Sequence, residues 1–313
     1  MHLAYLALGL KNGDEAVTTP NTFAATANMI LAVGAKPVFS DIRLDTYNID
    51  ENKIASCITK RTKVIVPVHV AGQSCDMKKI STLAKKHRLS VIEDACHALG
   101  AKHRDFRVGA CRYSDMAVFS FHPVKSITTG EGGAVLTNSK KLYDRLITLR
   151  NHGIHKNKAG KNVMTDLGYN YRMTDIQAVL GSSQLPKINS FIRGRNRVAG
   201  WYEKFLSDSK NVLLPKVLPG NYSAWHIYVV RVLNPKYRDK LATFLKKNGV
   251  GANFHYPAVY SHPYYRANGY KNTRLENEEK YHNSCLTLPC YPGLAKSDVL
   301  KIAGLVSKFF EKI

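Results

Sequence analysis

Residues Met116–Thr137 read MAVFSFHPVKSITTGEGGAVLT. Two runs within them, Ala117–Phe121 and Gly133–Leu136, are rich in β-branched and apolar residues and predict buried strands. The polar loop between the runs carries one lysine, Lys125, together with Gly130, Gly132 and Gly133. A lysine on a loop between two buried strands is partly desolvated, and desolvation disfavours the ammonium. Its amine then becomes a usable nucleophile near neutral pH, as a Schiff-base lysine requires. A hairpin whose lysine points into water is the ordinary alternative for a lysine considered alone. The surrounding chain therefore has to decide between the two.

Working outward, the N-terminal half alternates short apolar strands with helical stretches. AVTTP, KPVFSDI, TKVIVPVHV and LSVIEDA read as strands, separated by helices over Phe23–Val33, Lys53–Cys57 and Met77–His87. That alternation predicts an α/β fold with a parallel or mixed central sheet flanked by helices. Ligands in such sheets sit at the carboxyl ends of the strands. LSVIED ends there with Glu93 and Asp94, followed by Ala95, Cys96 and His97. A carboxylate at the end of a buried strand is costly unless it meets a positive partner, and a protonated pyridine nitrogen is one. A helix-capping aspartate is the competing reading of the same residue. Neither GxGxxG nor GxxxxGK[ST] follows any strand, so dinucleotide and nucleoside-triphosphate sites have no support.

At 313 residues the chain is long enough for two domains. Its 46 Lys+Arg against 23 Asp+Glu give a formal charge of +23, which raises nucleic acid, membrane surfaces and polyanions as partners. The basic residues are scattered, and no zinc-finger spacing or RNP-type aromatic motif accompanies them, so we expect a solvated surface that attracts phosphorylated substrates rather than nucleic acid. Cys57, Cys75, Cys96, Cys111, Cys285 and Cys290 contain no CxxC pair and no secretory signal precedes them. Reduced thiols, a cytoplasmic setting and no metal site are the expectation. No apolar run approaches the ~18 residues of a membrane span.

Five further segments complete the pattern: TPNTFAAT (Thr19–Thr26), EDACHALGA (Glu93–Ala101), SFHPVKSITTGEGG (Ser120–Gly133), GYNYRMTDIQAVLGSSQL (Gly168–Leu185) and NFHYPAVYSHPYY (Asn253–Tyr265). In this order and at these spacings the chain closely resembles, essentially end to end, the DegT/StrS-type sugar aminotransferases. These are pyridoxal 5'-phosphate enzymes of the aspartate-aminotransferase type of fold (fold type I). The resemblance implies that Lys125 carries the cofactor as a Schiff base and later moves the proton between the sugar C4 and the cofactor. It implies that Asp94 keeps the pyridine nitrogen protonated, that His97 lies near the cofactor's 3-oxygen, and that Phe23 stacks on the ring. Ser120 would reach the phosphate, and Asn170 the phosphate of the neighbouring subunit's cofactor, which makes a homodimer with shared active sites. His255 and Tyr256 would contact the sugar nucleotide. Taken one at a time, Phe23 and His97 also fit ordinary core positions, and Asn170 a loop-capping amide.

Pro186 breaks the helical run, and Ile188–Leu206 reads as a long basic amphipathic helix with Arg193, Arg195 and Arg197. We therefore expect a cofactor-binding large domain over 1–186 and a smaller α+β domain over 187–313, with strands at AWHIYVVRV and GANFHY and helices at Lys236–Lys247 and Ser297–Lys312. His2–Leu10 reads as a helix already in progress, without a capping residue. The family has roughly one more strand and two helices before it, including a Gly-Thr turn that binds the cofactor phosphate, so a longer parent is expected.

The resulting expectation is transfer of an amino group from an amino acid, L-glutamate by preference, to the 4-keto carbon of a nucleotide-linked 6-deoxy sugar for surface glycans. Two other classes compete. One is a cofactor-poor pseudoenzyme of the same fold, favoured by the absent phosphate turn; the other is a nucleic-acid-linked regulator, favoured by the charge but lacking a helix-turn-helix module.

Overall fold

The computed structural model describes residues 1–312. Helix α1 (His2–Leu8) ends at Gly9, whose left-handed φ of 79° closes the last turn. Strands β1 (Glu15–Thr18), β2 (Lys36–Phe39), β3 (Thr62–Val66), β4 (Ser90–Asp94), β5 (Met116–Ser120) and β6 (Gly133–Leu136) form one six-stranded sheet in the order β2-β1-β3-β4-β5-β6. The first five are parallel and β6 runs antiparallel to β5, so the sheet is mixed and the fold is α/β as expected.

Period-two alternation separates the two faces of this sheet. Ala16, Val64, Val66, Ile92, Met116 and Val118 pack on one face with Ala4 and Tyr5 of α1 and with Leu146 and Leu149 of α4 (Lys140–Arg150). Val17, Ile65 and Val91 face the other way, against Met77, Ile80 and Ala84 of α3 (Met77–His87). Burial on both faces explains why these strands read as continuous apolar runs. The sequence also sets the helix ends. The Asp76 side chain accepts from Lys79 N at the start of α3, and Lys85, Lys86 and His87 occupy its last turn, where the helix dipole favours cations.

A second core lies in the C-terminal part. Helices α6 (Ile188–Leu206), α7 (Arg238–Lys247) and α9 (Lys296–Phe310) pack on a three-stranded antiparallel sheet of β7 (Val212–Leu213), β8 (Tyr228–Val232) and β9 (Cys285–Leu288). Two further helices carry contacts between the N- and C-terminal parts: Ala27 of α2 (Ala25–Ala32) clusters with Ala258 and Val259, and Tyr281 of α8 (Glu276–Ser284) with Ile42 and Val229.

Three sequence expectations need correction. Gly133–Leu136 forms a strand but not a buried one: β6 is the edge of the sheet, exposed at Gly133 and Leu136 and half-buried between them. Lys53–Cys57 is a single 3-10 turn over Ile54–Cys57 rather than an α-helix, as its length allows. The GANFHY run makes no strand; it contributes one isolated bridge, Asn253 to Thr287. The Asn253 side-chain oxygen takes the Phe254 N–H at 2.8 Å, which turns the chain out of the ladder and toward the cavity between the two cores.

Candidate active site

The loop carrying Lys125 is held at both ends. Phe121 N donates to Gly132 O at 2.9 Å and Thr129 N to Phe121 O at 3.0 Å, so the segment leaves β5 and returns to β6 through a narrow neck. Gly133 stands where a Cβ would approach Phe119 O to 2.6 Å, so only glycine lets β6 close against β5. Lys125 N donates to His122 O at 2.9 Å within the loop. From outside, Gln184 at the end of α5 (Asp175–Gln184) donates to Thr128 O at 2.7 Å, and Gln177 donates to Glu131 O at 3.1 Å. A capping box of Thr174 and Gln177 starts α5.

This loop, the end of β4, the start of α2 and the 253–256 segment enclose a cavity of about 770 Å³. Its lining includes Phe23, Asp94, His97, Ser120, Lys125, His255 and Tyr256. The volume fits a cofactor together with a substrate. Burial pulls the Lys125 amine below the ordinary lysine pKa, opposed by Cys96 and then Asp94. Burial in turn pushes the Cys96 thiol well above its ordinary value, which keeps it neutral, so Asp94 is the effective counter-charge. Asp94 is 5% exposed. One of its oxygens accepts from Thr26 Oγ1 at 2.6 Å and the other from Cys96 N at 3.2 Å. Among the described residues no cation lies within salt-bridge distance of it. A buried carboxylate held by neutral donors on the floor of a cavity, facing a desolvated amine, suits a cationic ring N–H.

His97, His226 and His255 also line this cavity. His97 Nε2 lies 3.0 Å from Tyr256 Oη, and the His97 ring lies 4.4 Å from that of His226. Burial first, then the neighbouring charges, holds both imidazoles well below their ordinary pKa, so both are neutral at physiological pH. The Nδ1 atoms of both are buried without a partner. His255 Nδ1 lies 2.9 Å from Thr287 Oγ1, and burial lowers its pKa as well. Phe23 stands at the mouth, 65% exposed, with its ring 6.4 Å from that of Tyr256.

Asn170 lies apart from these residues. It is exposed and bridges Asn151, outside the cavity of its own chain. Thr26, Arg195 and His226 line the cavity without having been singled out for it from the sequence. Thr26 stood inside the quoted TPNTFAAT segment. Arg195 was legible only as part of a basic helix, and His226 only as a residue of a strand-like run.

Comparison with known proteins agrees with this geometry. The DegT/DnrJ/EryC1/StrS aminotransferase family profile matches residues 1–307. UDP-4-amino-4,6-dideoxy-N-acetyl-beta-L-altrosamine transaminase of Campylobacter jejuni is 36% identical over 100% of this chain and 83% of its own length. The structure of Helicobacter pylori PseC, an aminotransferase involved in the biosynthesis of pseudoaminic acid, superposes with a TM-score of 0.92 at 34% identity, covering 100% of this chain and 84% of that one. The PLP-form of Spr1654 from Streptococcus pneumoniae also superposes with a TM-score of 0.92, at 27% identity over 99% of this chain and 84% of that one. The chain belongs to the DegT/DnrJ/EryC1/StrS aminotransferase family. It is a sugar aminotransferase, and the family together with its PLP-form neighbours indicates pyridoxal phosphate as the cofactor.

Proposed function

We propose that the chain transfers an amino group from an amino acid, L-glutamate by preference, to the 4-keto carbon of a nucleotide-linked 6-deoxy sugar in surface-glycan biosynthesis. The observation that carries this reading is the pairing, in one cavity, of a desolvated Lys125 with the buried, hydrogen-bonded Asp94. Pyridoxal phosphate, when bound, supplies an electrophilic carbon for the amine and a ring that draws electron density from the reacting carbon. Lys125 would hold the cofactor covalently and, as a neutral amine, take and return the proton at the substrate's reacting carbon. Asp94 would accept the ring N–H and keep its proton there, fixed in place by Thr26. Phe23 would cover one face of the ring, Ser120 would donate to the phosphate, and His97 would sit near the 3-oxygen. His255 and Tyr256 would contact the sugar. The neutral imidazoles suit hydrogen bonding to sugar hydroxyls and keto groups, since each can donate at one nitrogen and accept at the other.

The reading divides the chain into a cofactor-binding domain at 1–186 and a smaller domain at 187–313, working in the cytoplasm as a homodimer. Support for the dimer comes from α5, which has no buried residue and presents Ile176 at 84%, Val179 at 68% and Leu180 at 42% exposure. An apolar face of this kind marks an association surface. It adjoins Asn170 on the chain, so a partner seated there would receive Asn170 near its own cofactor phosphate.

The test supplies L-glutamate and a UDP-linked 4-keto-6-deoxy sugar to the cofactor-loaded protein and follows 2-oxoglutarate and the amino sugar by mass spectrometry. Equimolar formation of both supports the reading. Formation of 2-oxoglutarate without an amino sugar from UDP-, GDP- or dTDP-linked 4-keto substrates would overturn the assignment of the acceptor.

A further inference from the structure

Three cations outside the cofactor cavity, Lys102, Arg107 and Arg193, converge on a cavity of their own. Lys102–His103 and Phe106–Arg107 form a short antiparallel hairpin, and Asn221–Tyr222 adds a third strand on its other side. The register sets Tyr222 opposite Lys102, and Lys102 opposite Arg107. Residues directly opposite in a ladder project from the same face, so tyrosine, lysine and arginine form one row across the three strands. That row lines a cavity of about 430 Å³, which α6 completes with Asn189, Ile192 and Arg193. The cavity shares no lining residue with the one around Lys125.

Two cations directly opposite each other on a hairpin repel, which destabilises the ladder unless an anion neutralises them. The protein supplies none. Among the described residues no carboxylate lies within salt-bridge distance of Lys102, Arg107 or Arg193, and Asp105 in the hairpin's own turn pairs with none of them. All three side chains are exposed, so a ligand can reach each charge. The backbone beneath them is held in place. Gly100, at a φ of 87°, stands where a Cβ would approach Ile192 Cγ1 to 2.9 Å, so the root of the hairpin packs closely on α6. Asn221 ties in the third strand: its Oδ1 lies 2.9 Å from His103 Nδ1, and its Nδ2 donates to Ser74 O at 2.8 Å. Accessible cations on a fixed frame around one cavity, without an internal counter-ion, make an anion site.

We propose that this cavity binds a diphosphate group, carried by free pyrophosphate or by a nucleotide, at a site apart from the cofactor cavity. Two opposed cations with a third beside them match the several charges of a diphosphate better than the single charge of a carboxylate. The two arginines add planar forks that suit phosphate oxygens. The volume lies within the range of small-molecule sites, roughly 300–1,000 Å³. Tyr222, 37% exposed, offers an aromatic surface on which a base or ribose can rest. Arg193 is two residues from Arg195, which lines the cofactor cavity, so an anion held here tethers to the hairpin the helix that also walls the active cavity.

The experiment is calorimetric titration of the cofactor-loaded protein with pyrophosphate at physiological ionic strength, where general charge attraction is screened. Arg193→Gln and Lys102→Gln should each weaken pyrophosphate about 10- to 100-fold, the loss of a charge-assisted hydrogen bond. Lys60→Gln removes the same charge from outside the cavity and should change the affinity by less than about twofold. Without ligand, Lys102→Gln should melt no lower than wild type, since its repulsion with Arg107 is relieved, and it should gain less in Tm from pyrophosphate. Competition with UDP separates the two sources. UDP that displaces pyrophosphate more tightly than pyrophosphate itself binds, with the gain lost in Tyr222→Ala, makes this a nucleotide site; weaker or absent displacement assigns it to free diphosphate, and either result keeps the site. No binding by wild type, equal binding by wild type and both cavity variants, or an equal loss in Lys60→Gln overturns the proposal. Binding is read without turnover and at residues outside the cofactor cavity, so failure here leaves the aminotransfer reading standing.

Discussion

Replacing Thr26 by valine tests how the buried carboxylate is held. Thr26 is 1% exposed, and its hydroxyl lies 2.6 Å from Asp94 Oδ2 and 2.9 Å from Thr22 Oγ1. Valine fills nearly the same volume, so no cavity opens, and the change removes one of the two donors to a carboxylate that is 5% exposed. Hydrogen bonds to charged groups contribute about 1.5–3 kcal/mol, and here the bereft acceptor cannot turn to bulk water. A cost of about 2–3 kcal/mol follows, or a fall in Tm of roughly 4–12 °C for a domain of this size. Thr26→Ser keeps the hydroxyl and gives up one methyl, about 1 kcal/mol. Differential scanning calorimetry of the three proteins at pH 7.0–7.5 should rank them wild type, serine, valine, and the valine variant should also release pyridoxal phosphate more readily. A valine variant melting at or above the serine variant would refute the claim that this hydroxyl stabilises the Asp94 carboxylate.

Three further outcomes follow from the same geometry. The Lys125 pKa is depressed below 10.5, so the folded chain releases its proton before the unfolded chain does. Stability should therefore rise with pH from the depressed value up to about 10.5, and urea unfolding of the cofactor-free Lys125→Met variant should lack that rise. His97 and His226 are held neutral in the fold, so the unfolded chain binds protons that they refuse as pH falls below 6.5; their ring resonances should stay in the neutral form at pH 6, and titration near 6.5 would contradict their burial. Ile176→Asp places a charge on the most exposed apolar residue of α5 and should convert a dimer to monomer in sedimentation, with an unchanged dimer counting against that interface.

The parts of this molecule legible in the sequence are those whose chemistry is local. The strand ends of β4 and β5 could be located because these strands are continuous apolar runs; Asp94 then stood out as a polar residue at a strand end, and Lys125 as the lysine of the loop that follows β5. Helices such as α3 and α6 follow their period closely. Arg195 and His226 were not legible as site residues. Arg195 stands between Arg193 and Arg197 on a basic helix, where charge reads as solvent-facing, and only the packing of α6 against the 225–226 and 290 carbonyls turns it into the cavity. His226 precedes β8 and meets His97 across the two cores, a juxtaposition 129 residues apart that no local pattern encodes. The 253–256 segment misled because alternation implies a strand, whereas a single side-chain to backbone hydrogen bond at Asn253 diverts the chain after one bridge.

The central claim is that Lys125 is the amine that holds the cofactor. The direct measurement is to load the protein with pyridoxal phosphate, reduce with borohydride and map the modified peptide by mass spectrometry, with and without prior addition of L-glutamate. A phosphopyridoxyl group on Lys125, sharply diminished when glutamate is added first, is the expected result. Label on another lysine, or none on a folded chain, would contradict it.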